Sequence, residues 1–273
     1  MKVLKYSLML GIFLNLIAAC DQKVKTSEKN PLENTENASK KQIKQYPAAE
    51  KMKEIDQITN ELQQVESLRW ENTEGAQSSF VEVQAYLNDD QQPLKIVERF
   101  INGGYNGQGE RHYYFENGKV IAFYEKKDDW IDTTQSVYVE TQTFYNEEEP
   151  VSTRTRSADY VDEIDKSDWK EIQPSHHSLQ TVNNILGGEG RFKTHFISVI
   201  KGGNQLFLLL GEPKKENRYI TTVRVDQKTP FIDDLIQHLE EYKFRPVDIE
   251  FKVVGGGGEP EFRVLTNAQW KDE

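Results

Sequence analysis

The 273-residue sequence contains a single cysteine, Cys20. No intramolecular disulfide can form, which excludes the disulfide-stapled architectures of small secreted domains. Long apolar runs are missing too. Beyond residue 19 no stretch approaches the ~20 consecutive apolar residues of a membrane-spanning helix. Catalytic signatures are also lacking: there is no Gly-x-Ser-x-Gly, no His-Glu-x-x-His, no second thiol, and no glycine loop ending in Gly-Lys-Ser/Thr. Positive charge is scarce, with 34 Lys and Arg against 45 Asp and Glu, for a net charge of −11. The deficit sits in residues 76–172, with 10 basic and 20 acidic side chains, whereas residues 191–273 carry 13 of each. An acidic first half argues against nucleic acid or an anionic lipid surface as its partner.

The N-terminus is more informative. Lys2 and Lys5 precede an apolar stretch from Tyr6 to Ala19, broken only by Ser7, Gly11 and Asn15. A short apolar core ending in small residues is the pattern of a cleaved secretory signal. Ile17-Ala18-Ala19-Cys20 resembles the lipobox of bacterial lipoprotein precursors. The resemblance covers the signal alone. It implies that the chain is cut before Cys20 and that the thiol carries a diacylglyceryl group, with the new amino end acylated. Two or more acyl chains suffice for stable anchoring, at about 0.8 kcal/mol per buried methylene. Such an anchor places the protein in the cell envelope and accounts for an otherwise unpaired thiol in an exported chain. Losing Lys2 and Lys5 with the signal would take the net charge from −11 to −13.

Residues 20–46 are Lys, Glu, Asn, Gln, Ser and Thr with few apolar side chains. They read as a lipidated cysteine followed by a flexible tether, holding the folded part roughly 25–30 Å from its anchor. Met52, Ile55, Ile58, Leu62, Val65 and Leu68 then recur every three or four residues, predicting one amphipathic helix from Pro47 to about Arg69. From Phe80 to Thr155 the period becomes two. Val81, Val83, Ala85 and Leu87 alternate with polar neighbours, and further runs follow at Leu94–Ile96, His112–Phe115, Val120–Tyr124, Val137–Tyr145 and Val151–Thr155. Asn117-Gly118 between two of these is the strongest hairpin signal in the chain. The expectation for 47–156 is the helix packed on an antiparallel β-meander, an α+β unit.

Residues 157–190 read as an acidic connector with a short helix over Ser178–Leu186, ended by Gly187-Gly188. Strands are predicted at Phe196–Ile200, Leu206–Leu210 and Tyr219–Val225. A helix follows Pro230, with Phe231, Leu235, Leu239 and Tyr242 on one face, and a strand pair, Val247–Val254 and Pro260–Leu265, closes the chain. Leu206–Leu210 is apolar throughout, which predicts burial on both faces or a domain contact. The β-β-β-α-β-β order of this smaller unit, 191–273, resembles the OB-fold in topology alone.

No cofactor or metal is expected. His176-His177 is the only adjacent histidine pair, and in extended chain the two rings point apart; a zinc site would need Asp165, Asp168 or His195 as well. The acids at 159, 162, 163, 165 and 168 miss the calcium-loop spacing. The glycine clusters at 103–109 and 255–258 link strands and read as turns. Aromatic residues offer a candidate surface: Tyr113, Phe115 and Phe123 fall on one side of the hairpin, Tyr114 and Tyr124 on the other. With Tyr86 nearby, Tyr86, Tyr114 and Tyr124 are the candidate stacking face for a sugar or peptide. The expected function is a non-catalytic binding or scaffold protein of the envelope, with an envelope protein or glycan as partner. The alternatives are a carrier of lipid or another apolar ligand, which needs a pocket of several hundred Å³, and a hydrolase built around His112 or His176.

Overall fold

The computed structural model describes residues 46–72, 78–102, 107–130, 135–212, 219–256 and 259–271. Cys20, the segments expected to be a signal and a tether (residues 1–45) and Gly103-Gly104 lie outside the described residues.

The chain is predominantly β-sheet with a few short helices. Helix α1 (Pro47–Ile58) starts on proline, whose fixed φ and missing N–H suit a first helical turn. It buries Met52 and Ile55. The helix is about half the length predicted from periodicity. Beyond a 3₁₀ turn at Thr59–Glu61, the segment Gln63–Glu66 is strand β1, paired antiparallel with Gln84–Leu87. Residues at three-residue spacing were compatible with a helix, but the open edge of a neighbouring strand captures them, a case of tertiary pairing overriding local period.

Strands β2 (Trp70–Asn72), β3 (Ser79–Leu87), β4 (Pro93–Ile101), β5 (Gln108–Glu116), β6 (Lys119–Trp130), β7 (Ser136–Asn146) and β8 (Glu149–Ala158) follow as an antiparallel meander. Asn117 and Gly118 take φ of 51° and 76° at the β5–β6 turn, the left-handed pair that matches strand twist. At the other end of β5, Gly107 has φ 76° and passes so close to β6 that a Cβ would meet the Asp128 carbonyl. The strands run past the apolar segments read from sequence and continue through charged residues, most plainly in β6 from Glu125 to Asp129.

The connector is more ordered than its composition suggests. It forms a 3₁₀ segment at Val161–Lys166 and a further strand, β9 (Lys170–Ile172), on the outer side of β8. Helix α2 (Gln180–Gly187) buries Val182 and Ile185 and ends at Gly188 in the left-handed conformation. Then come β10 (His195–Gly202), β11 (Gln205–Gly211), β12 (Ile220–Val225), α3 (Pro230–Gln237), α4 (Leu239–Tyr242), β13 (Val247–Gly256) and β14 (Glu259–Trp270). Thr229 caps α3 by accepting from the Ile232 amide. β10, β11 and β12 are antiparallel, β12 pairs in parallel with β14, and β14 is antiparallel to β13. The start of β13 returns to the start of β10 through a bridge between His195 and Pro246, with the Phe196 amide donating to the Arg245 carbonyl at 2.9 Å. These five strands thus form a hydrogen-bonded ring.

One hydrophobic core spans the connector. It joins Val83, Ile96, Tyr113 and Phe123 of the meander to Val182, Phe192, Phe196, Leu208, Val223, Ile232 and Val247. β2 is the physical link: it pairs with β3 on one side and, through Ile220 and Glu71, with β12 on the other. Leu208 and Leu210 of the apolar run point into this core, while Leu206, Phe207 and Leu209 are half-buried. A second, smaller cluster lies on the opposite face of the meander, where α1 packs Met52 and Ile55 on Tyr114, Ala122 and Phe144.

Candidate functional site

Backbone alternation assigns the meander's side chains to two faces. One is the shared core. On the other, α1 covers only one end of the strands, so the rest of that face is a polar strip, and its order follows from register. Glu82 lies opposite Arg99, Arg99 opposite Glu110, Glu110 opposite Lys126, Lys126 opposite Glu140, and Glu140 opposite Arg156. The charge alternates in sign across six strands.

The contacts along this ladder are close. Arg99 Nε donates to Glu110 at 3.1 Å, and Lys126 Nζ lies 2.9 Å from the same carboxylate. Arg156 reaches both Glu140 at 2.7 Å and Asp165 at 2.9 Å. Arg263 of β14 extends the ladder by donating to Glu82 at 2.9 Å, a pair buried on both sides. Hydrogen bonds from His112, then from Lys126 and Arg99, hold Glu110 far below the usual carboxylate range. A carboxylate only accepts, so His112 Nε2 carries the proton in this pair, and its Nδ1 is left buried without a partner. Burial lowers the His112 imidazole below its ordinary value, against the opposing pull of Glu110.

Two grooves open along the ladder. The larger, about 330 Å³, is lined by Phe80, Arg99, Ile101, Glu110, Lys126 and Tyr138 among others. The smaller, about 150 Å³, is lined by Glu66, Glu82, Gln84, Arg99, Glu261 and Arg263. Arg99 belongs to both. Burial raises Glu66 above the ordinary carboxyl value.

The tyrosine surface expected from sequence does not exist as an open face. Tyr114 is 1% exposed, covered by α1, and its hydroxyl donates to Asp56, which also holds Lys95 at 2.6 Å. Tyr86 is buried and donates to Gln84 at 2.8 Å. Tyr124 is half-buried, donates to Glu140 at 2.7 Å and stands edge-on to His112. Parity placed Tyr114 and Tyr124 on one side correctly, but it could not show which end of that side the helix covers. The aromatic residues that do line a groove are Phe80, Phe100 and Tyr138.

The histidine pair separates as extended backbone requires. His176 is exposed and lies 3.4 Å from Glu149. His177 stacks flat on Phe123, centroids 3.6 Å apart, and shares a hydrogen bond with Thr143. Among the described residues no three His, Cys, Asp or Glu side chains are grouped to hold a metal ion. Burial lowers the His177 imidazole to about 4. The unfolded chain takes up its proton near 6.5, while the folded chain resists until about 4. Stability is therefore expected to fall as pH drops through that window and to level off below it. An NMR titration of the His177 ring protons reads the folded value directly. A His177→Gln variant should lose this part of the acid sensitivity in urea melts at pH 7 and pH 4.5.

No protein-family description, curated protein or solved structure matches this chain.

Proposed function

We propose that the chain is a lipid-anchored lipoprotein of the bacterial cell envelope whose folded part is a non-catalytic binding or scaffold protein. The polar strip with its two grooves is its contact surface. The anchor reading is supported by Ile17-Ala18-Ala19-Cys20 at the end of an apolar core and by the sole thiol at that position. Tyr46, just before α1, stacks on Phe144 at 4.7 Å.

The observation that carries the binding reading is the ladder itself. Each charge is already matched by its neighbour, and Glu110 is locked as a carboxylate by three donors. A general acid or base must be poised near the working pH, whereas these groups form a fixed array of donors and acceptors. In the C-terminal unit, the five-strand ring with a helix between its third and fourth strands supports an OB-like reading.

Replacing Cys20 by alanine should move the protein from the membrane fraction to the soluble fraction and remove acyl mass from its N-terminal peptide; a variant that stays membrane-bound and acylated would overturn the anchor. Affinity capture of the lipidated protein from its own cells, repeated with Tyr138→Ala and Lys126→Ala, tests the surface. The co-purifying ligand should be depleted in both variants. Capture unchanged by either would remove the strip as the contact surface.

A further inference from the structure

We infer that the ligand of the strip is a neutral, polyhydroxylated chain, an oligosaccharide, lying across the strands from the smaller groove to the larger. This rests on the binding reading above and names the chemistry of that same surface.

The first argument is electrostatic. Neighbouring strands are about 4.8 Å apart, so the sign of the ladder reverses at that interval from Glu82 to Arg156. A ligand carrying charge of one sign meets a repulsive neighbour beside every attractive one, and the far field of the row cancels. Hydroxyl groups have the opposite relation to such a row. Each both donates and accepts, so vicinal hydroxyls can give a proton to a carboxylate and take one from the cation beside it.

The ladder retains capacity for this. Arg99 is 42% exposed and offers five N–H donors. Glu110 engages its Nε, and Nη1 stands 3.9 Å from Glu82, beyond hydrogen-bond reach. Lys126 is 38% exposed and has three ammonium hydrogens, with Glu110 on one side.

The second argument is the floor. Phe80, Ile101 and Tyr138 line the larger groove beside the charged row. A sugar ring has an apolar face of C–H groups as well as its hydroxyl rim, and aromatic side chains with wet edges suit such amphipathic bodies. Arg69 stacks over the Phe80 ring at 3.9 Å, which fixes its position. From β3 to β7 the strip spans about 19 Å at sheet spacing, enough for several linked rings. A peptide adding as an extra strand has no place here, because backbone groups in the middle of a sheet are already paired and strand addition uses an edge.

The test is calorimetric titration of the mature, lipidated chain in a detergent without a sugar headgroup. The probes are neutral oligosaccharides of three to six residues, with and without N-acetyl groups, alongside lysine-rich and glutamate-rich peptides of similar size. At least one oligosaccharide should bind saturably, with an affinity that changes less than about twofold between low and moderate salt. Tyr138→Ala and Lys126→Ala should each weaken it about three- to tenfold. Tyr160→Ala, an exposed tyrosine away from the grooves, should leave it unchanged. Unchanged thermal melts keep loss of binding separate from loss of fold.

Failure of every oligosaccharide to saturate below ~10 mM overturns the inference, as does tight, salt-sensitive binding of either peptide. If cell capture still depends on Tyr138 and Lys126 in that case, the strip remains a binding surface for another ligand. If capture is also indifferent to them, the binding reading falls with it.

Discussion

An Arg111→Met variant is expected to lose about 3–5 kcal/mol of stability at neutral pH, because it strands a buried carboxylate. Glu98 is 3% exposed and lies in the shared core, where Arg111 is its cation at 3.3 Å. Arg111 also holds Glu125 at 2.8 Å and lies over the Phe100 ring at 4.3 Å. Burial raises Glu98 above the ordinary carboxyl value, and Arg111 opposes that rise. Without Arg111 the folded-state value climbs further. A carboxyl raised in the folded state costs stability as pH rises, so the deficit opens above the unfolded value of about 4.3 and becomes full once pH exceeds the raised one. Urea melts from pH 4.5 to 7.5 should show Arg111→Met closing on wild type toward the acid end. A Glu98→Gln variant leaves Arg111 its Glu125 partner and should cost under about 1.5 kcal/mol. A deficit in Arg111→Met that does not change with pH would sink the argument.

The other large effect is expected at Trp70. Its side chain is 1% exposed and meets Phe192 edge-on at 5.7 Å, where β2 joins the meander to the five-strand ring. Trp70→Ala should cost about 3–5 kcal/mol from lost burial and the cavity left behind. Because the core is continuous across the connector, near-ultraviolet dichroism and hydrogen exchange at Leu208 and Val223 should report one shifted transition. Two separate transitions would show that the two halves fold apart. Trp70 Nε1 is buried without a partner, so Trp70→Phe removes an unsatisfied donor, worth about 1–3 kcal/mol, along with some volume. It should therefore be much milder than alanine.

Several elements were legible because local chemistry decides them. Asn117-Gly118 marks its hairpin, Gly188 ends α2 and Pro230 starts α3, each through backbone conformation that few residues supply. The parity of Tyr113 and Phe123 against Tyr114 and Tyr124 follows from a period of two and holds in the structure. The polar strip was hidden for the same reason that the strands seemed short. A reading based on apolar alternation stops where Glu125, Lys126, Lys127, Asp128 and Asp129 begin, yet those residues continue β6. The pairing of Lys126 to Glu110 and Glu140 depends on register, which is set by turns such as Asn117-Gly118 and is not written in any one strand. The extent of α1 was equally non-local. Val65 looks helical by spacing and becomes a strand residue only because β3 offers it an edge.

The joint between Tyr46 and Phe144 bears on mechanics. A pull applied at Tyr46 enters the fold at this stacked pair and then runs along α1. Only Met52 and Ile55 bury fully beneath that helix, with the Lys95–Asp56 bridge near its far end. Load directed away from the sheet would act on these contacts one after another, as in peeling tape, instead of shearing many hydrogen bonds at once. The helix would therefore yield well before the meander, and its lifting would bare Tyr114, Ala122 and Phe144 beside the charged strip.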